Sequence, residues 1–91
     1  MSNNQIAISS LAMDLKRVAL GYYKGSNNTA ERFTQEALKR CEEIKTEEVR
    51  LYMQKIIKKL PLVLSQTDKQ KLAEDALMYS TLFQNYALKF S

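Results

Sequence analysis

Apolar residues recur along this chain at intervals of three, four and seven, and nowhere do they alternate over the length of a strand. That spacing gathers them on one face of an α-helix, so the pattern predicts helices throughout. From about Asn4 to Lys24, a first helix carries Ile8, Leu11, Leu15, Val18 and Tyr22 on one face. The run Gly25, Ser26, Asn27, Asn28 breaks it, and Gly25 suits a left-handed helix end. A second helix is expected from Asn28, with Asn28 and Glu31 as a reciprocal capping pair. Its inward stripe is Ala30, Phe33, Ala37, Cys41 and Ile44. Thr46 is expected to cap a third helix, whose stripe is Val49, Met53, Ile56 and Leu60, flanked by Tyr52 and Ile57. Glu47 and Glu48 in its first turn, and Lys58 and Lys59 in its last, suit the helix dipole. Pro61 should end or kink this helix, because its ring clashes with the preceding turn. Thr67 and Gln70 form another capping box, opening a fourth helix from Asp68 to about Lys89. Its face is Leu72, Ala76, Tyr79, Phe83, Tyr86 and Phe90. Connections this short favour antiparallel neighbours. The expected fold is therefore all-α, a compact up-and-down four-helix bundle in a single domain over residues 1–91.

Two helices carry more apolar surface than such a core needs. In the first, Ile6, Met13 and Leu20 stand seven residues apart, roughly opposite the main face. In the fourth, Leu77 and Leu88 lie well away from Phe83, with Met78 further round, and Lys89 is the only charged side chain from Ala76 onward. These residues either cover the ends of the core or meet a third neighbour, as isolated apolar surface residues commonly do, or form a contiguous patch. Such patches mark interfaces, so the six are the candidate partner-binding set. The partner is another protein or a second copy of the chain. The fourth helix lacks the dense basic face of a membrane-surface helix, so no membrane partner is expected.

Composition narrows the chemistry. The 91 residues are 45% hydrophobic, with two glycines and one proline, which fits an ordered helical domain. There is no histidine, hence no imidazole base and no histidine-containing metal site. Cys41 is the only cysteine, so no internal disulfide forms and a reducing, cytoplasmic setting is expected. The polar start Met1–Gln5 does not look like a signal peptide, and no stretch is long and apolar enough to span a membrane. Glu42-Glu43, Glu47-Glu48 and Glu74-Asp75 are adjacent pairs that point about 100° apart on a helix and do not converge as an acid/base pair. Cys41 sits on an apolar face without a histidine partner, the setting of an inert thiol. The Gly25–Thr29 turn precedes a helix N-terminus, but each of its residues has a capping role. No phosphate-binding motif is present. No catalytic, cofactor or metal residue is therefore assigned, and no enzyme activity or small-molecule substrate is expected.

The net charge of +4 permits contact with nucleic acid. Arg50, Lys55, Lys58 and Lys59 leave the main face of the third helix and are the candidate phosphate contacts, with Lys16 and Arg17 in the first helix. Glutamates at positions 36, 42, 43, 47 and 48 dilute that footprint, and Tyr23 is the clearest outward tyrosine.

Residues 11–39 resemble the opening hairpin of HEPN domains, helical domains that often begin with an Asp-Leu helix, a glycine-containing turn and a helix with a Gln-x-Ala step. The matching positions are Asp14-Leu15, Ala19, Gly25, Ala30, Gln35 and Ala37. The resemblance implies a helical bundle that dimerises or associates with RNA or nucleotidyltransferase partners. Catalytic members carry an Arg…His motif late in the domain, which a chain without histidine lacks, so ribonuclease activity is not carried over. The same stretch also looks like one tetratricopeptide hairpin through Tyr22-Tyr23-Lys24, Ala30 and Ala37-Leu38, with no second copy following. The sequence thus points to a non-catalytic accessory or adaptor subunit, its alternative being a small basic bundle that binds RNA or DNA directly.

Overall fold

Helix α1 spans Asn3–Tyr23 in the computed structural model, which describes residues 3–90. Met1 and Ser2, at the polar start noted above, and Ser91 lie outside the described residues. Ile8, Leu11, Leu15 and Val18 are buried as their spacing predicts, and Tyr22 packs against the core edge. Gln5, Ala7, Ala12, Asp14, Ala19 and Gly21 are buried too. More than half of the helix circumference is covered, because neighbours pack on both sides of it.

The end of α1 follows the expected glycine geometry. Gly25 adopts φ +75°, the Ser26 N–H donates to the Gly21 carbonyl at 2.7 Å, and the Gly25 N–H donates to Tyr22 at 3.1 Å. This paired pattern is a Schellman motif, which satisfies the last carbonyls of the helix. The turn is so tight that Ser26 already stands at the N-cap of α2, Asn27–Glu43, and no side chain bonds there. The capping pair expected of Asn28 and Glu31 therefore does not form, and both residues lie inside the helix. Where α2 leaves the turn it crosses α1 closely: a Cβ built on Gly21 would stand 2.9 Å from the Ala30 backbone nitrogen.

Thr46–Glu48 is a separate 3₁₀ turn, and α3 begins only at Leu51, with Arg50 at its N-cap. Thr46 thus does not cap α3, and Glu47 and Glu48 precede its first turn. Val49, extended and buried, anchors the chain in the core between the two segments. Tyr86 supplies the missing partner at the restart, its hydroxyl accepting the Arg50 N–H at 2.9 Å. Asn4 ties the same loop to α1: its side chain donates to the Lys45 carbonyl at 2.9 Å and accepts the Lys45 N–H at 2.9 Å. Helix α3, Leu51–Leu64, continues through Pro61 instead of ending there. An interior proline costs about 3 kcal/mol, whereas burying a leucine returns roughly 1.5–3 kcal/mol. Running on buries Leu64, which offsets most of that cost. Along α3 the buried residues are Met53, Ile57, Leu60 and Leu64, so Ile57 takes the central place expected of Ile56, which is half-buried.

Helix α4 is Lys69–Lys89, and its cap is Asp68, whose carboxylate accepts the Lys71 N–H at 3.2 Å. The expected Thr67 capping box is displaced by one residue, since a carboxylate at the N-cap also meets the positive end of the dipole. Leu72, Ala76, Phe83 and Tyr86 are buried; Tyr79 is half-buried, and Phe90 lies beyond the helix end, at the surface.

Helix α1 is central, closely flanked by α2 on one side and α4 on the other, while α3 closes the core at greater distance. The described residues form a compact, all-helical body of 35 × 21 × 19 Å without strands. One apolar cluster joins residues of all four helices, Leu11, Ala37, Leu60 and Phe83 among them. Two buried side-chain bonds fix the α1–α4 seam. Ser80 Oγ donates to the Ala12 carbonyl at 2.7 Å, and Gln5 Nε2 donates to Ala87 at 3.0 Å. Seven residues forward on α1 match seven backward on α4, so these two helices run antiparallel.

Candidate partner-binding groove

The α1–α4 seam is built from small residues. Ala12 and Ala19 on α1, and Ala73, Ser80 and Ala87 on α4, are all buried and recur every seventh position. Small side chains let helix axes approach, and larger residues one step round each helix then stand up on either side. The result is a groove of about 540 Å³. Ala12, Ser80 and Ala87 lie at its buried base, Met13 and Leu20 rise from α1, and Leu88 rises from α4. These three large side chains are 55%, 40% and 70% exposed. Lys16 and Arg17 are the charged lining residues, Ser9 and Gln84 are polar, and no carboxylate of the described residues lines the groove.

Of the six apolar residues singled out from the sequence, Met13, Leu20 and Leu88 meet here. Ile6 and Leu77 are exposed and extend the same two stripes by helical position, without lining the groove. Met78, although exposed, is turned about 100° from Leu77 and stands with Leu82 on another side of α4. Sequence reasoning missed the floor residues Ala12, Ser80 and Ala87. The signal available was the seven-residue repeat of small residues in both helices. It also missed that Leu51, Tyr52 and Leu62 of α3 are exposed.

Of the basic candidates, Lys16 and Arg17 line the groove and the others lie elsewhere. Lys55, Lys58 and Lys59 are exposed on the outer side of α3, a helix without a carboxylate, and none has an ion-pair partner among the described residues. Arg50 stands apart from them, its guanidinium 4.7 Å from the centre of the Phe90 ring. A second hollow, more polar, lies between Tyr22, α2 and the start of α4, lined by residues of both signs including Glu31, Arg32 and Lys69.

The remaining titratable groups are structural in setting. Asp14 is buried between α1 and α2, with Oδ2 3.6 Å from Arg40 Nε and Oδ1 3.9 Å from Arg17. Neither Asp14 Oδ2 nor Arg40 Nε has a hydrogen bond. Burial pushes the Asp14 carboxyl up from its ordinary value, with Arg40 and Arg17 pulling the other way. The Cys41 thiol is half-buried and is pushed up to about 11, by burial first and then by Glu42. A thiol in that state holds almost no thiolate at neutral pH. Among the described residues, no three His, Cys, Asp or Glu side chains gather as a metal site. No helix among them is long and apolar enough to cross a membrane.

The fold and groove define an all-helical body with an apolar cleft between α1 and α4. No protein family, curated protein or solved structure matches the chain.

Proposed function

We propose that the protein is a non-catalytic accessory subunit, an up-and-down helical bundle that docks onto a protein partner through the α1–α4 groove. The single observation that carries this reading is that Met13, Leu20 and Leu88 line one cleft, with no carboxylate among its described lining residues. Covering what they still expose would contribute about 2.5–5 kcal/mol. Association itself costs roughly 4–15 kcal/mol, so the groove alone does not hold a partner. Ile6 and Leu77, on the continuing stripes, must be covered as well. A complex acting on nucleic acid is the setting that the net charge favours, in keeping with the HEPN-like hairpin.

The test is recovery of the tagged, nuclease-treated protein from its native host at moderate salt, read by mass spectrometry. One protein in near-stoichiometric amount is expected, lost on Met13→Asp and on Leu88→Asp while the helical melting curve persists. Recovery of no partner, or of one indifferent to both changes, counts against docking through this groove.

A second reading is direct contact with RNA or DNA phosphates through Arg50, Lys55, Lys58 and Lys59. What favours it is the exposed lysine trio on α3, unpaired among the described residues. Three or four phosphate contacts predict a slope of about −3 in log affinity against log salt on duplex DNA. A flat salt dependence would remove this reading.

A further inference from the structure

We infer that the occupant of the α1–α4 groove is a single amphipathic helix of another protein, with acidic residues flanking its apolar anchors. This rests on the docking reading above and specifies its partner. The argument for a helix is one of backbone satisfaction. Ser80 and Gln5, the polar side chains of the seam, already donate to Ala12 and Ala87. An extended segment would bring a row of amides, more than Ser9 and Gln84 could satisfy, against walls of methionine and leucine, whereas a helix satisfies its own backbone. From Gln5 to Leu20 the groove follows α1 for about 22 Å, the length of four helical turns. Met13 and Leu20, one heptad apart, offer the spacing that a third helix needs to pack beside two.

The argument for acidic flanks is charge complementarity. Lys16 is exposed and has no ion-pair partner among the described residues, whereas the Arg17 guanidinium is 3.9 Å from Asp14 and 5.2 Å from the centre of the Phe33 ring on α2. The nearby carboxylate, Asp14, is buried on the α2 side. Carboxylates on the incoming helix would face Lys16.

The same facts disfavour a second copy. The exposed apolar stripe of α1 carries Lys16 and Arg17, and that of α3 carries Lys55, Lys58 and Lys59, so either would bring like charge to the groove. The glutamate-rich α2 exposes no large apolar side chain. On α4, Glu74 is the one exposed carboxylate near Leu77, while Asp75 is already paired with Lys71.

The experiment uses the full chain and two synthetic peptides of about 18 residues, long enough to span the groove. Both carry leucines at i, i+4, i+7 and i+11; one has glutamate at every flanking position and the other lysine. Fluorescence anisotropy at moderate salt is expected to show the glutamate peptide binding about tenfold more tightly. Lys16→Glu should shrink that preference to about threefold or less, because the facing cation is reversed. The double change Lys58→Glu, Lys59→Glu on α3 should leave the preference intact, which separates a local effect from net charge. Met13→Asp should abolish both interactions. Equal binding of the two peptides, lost on Met13→Asp, would overturn the acidic specification while leaving docking through the groove in place. Binding of neither, or binding indifferent to Met13→Asp, would overturn the helix inference itself, with the pull-down still deciding the wider reading. A dimer in sedimentation equilibrium that Met13→Asp dissolves would identify a second copy as the occupant and overturn the inference.

Discussion

Gly21→Ala should destabilise the protein, against the usual rule for a helix interior. Replacing glycine by alanine there normally stabilises by about 1 kcal/mol, because the freedom of the unfolded chain falls. At Gly21 the new Cβ would lie 2.9 Å from the Ala30 nitrogen, 3.0 Å from its Cα and 3.0 Å from its Cβ. Two of those three atoms are backbone, so no rotamer change relieves the overlap and α1 and α2 must move apart. Overpacking costs about 1–3 kcal/mol, and against backbone atoms the upper part of that range applies, so a loss of about 1–2 kcal/mol remains once the helix gain is subtracted. Gly21 also accepts the Ser26 N–H at 2.7 Å, so a shift at the crossing is felt in the turn. Urea unfolding followed by circular dichroism measures the loss, and the melting temperature should fall by about 4–8 °C for each kcal/mol. Adding Ala30→Gly should restore only part of the stability, since it removes one of the three close contacts. Gly25→Ala is the control: nothing lies within 4 Å of its Cβ, and a cost of about 1 kcal/mol comes from φ +75° alone. A Gly21→Ala protein as stable as the parent, or more so, would refute the close crossing of α1 and α2.

Three further expectations concern the seams and the thiol. For Asp14→Asn, the buried carboxyl titrates above its ordinary 3.8, so its protonated form is favoured by folding and stability is lost as pH rises through the raised value. The asparagine variant should lack that decline and lie within about 1 kcal/mol of the parent at pH 7, because Arg40 remains partly solvated and paired with Glu43. Urea midpoints of both proteins at pH 4 and pH 7 check this; a loss of several kcal/mol at pH 7 would show that the arginines outweigh burial. Ser80→Ala removes the buried bond to Ala12 and should cost about 1 kcal/mol, since the Ala12 carbonyl keeps its helical donor. Ser80→Val should cost more and weaken partner binding as well, by wedging the groove floor open. Cys41, with its thiol pushed up to about 11, should react with a disulfide reagent at pH 8 far more slowly than free cysteine, and at the ordinary rate once unfolded. Equal rates before and after unfolding would contradict its burial.

Much of the helical framework was legible from spacing, and its local errors lie at the helix ends. Ile8, Leu11, Leu15 and Val18 are buried as their period requires, and Gly25 has the expected left-handed geometry. The misplaced signals were caps and breaks. Thr46, Asn28 and Thr67 each have the local chemistry of a cap, yet the restart of α3 is satisfied by Tyr86, which is 36 residues away in sequence. Pro61 would end an isolated helix, but here the helix gains the burial of Leu64 by continuing. At α2 and α4 the cap moves within the turn instead, to Ser26 and to Asp68.

The groove shows what periodicity leaves open. Ile6, Met13, Leu20, Leu77, Met78 and Leu88 look alike from the sequence as surplus apolar residues, and all six are indeed exposed. Which of them meet depends on how α4 is rotated about its own axis, and that rotation is set by residues facing elsewhere. Leu72, Phe83 and Tyr86 turn toward the core, and Ala73, Ser80 and Ala87 then fall against Ala12 and Ala19. With α4 so placed, Leu88 lines the same groove as Met13 and Leu20, toward its Gln5 end, while Met78 is carried to the far side. The exposed apolar surface around the groove is therefore a consequence of the close α1–α4 seam and not only of a core too small to hold it. Small residues draw the two backbones together, and their larger neighbours are left standing with nothing between them. A larger residue in the seam would fill the cleft and part the helices at once. For this reason stability and partner binding should change together at Ser80, but separately at Met13 and Leu88, which are already in contact with solvent.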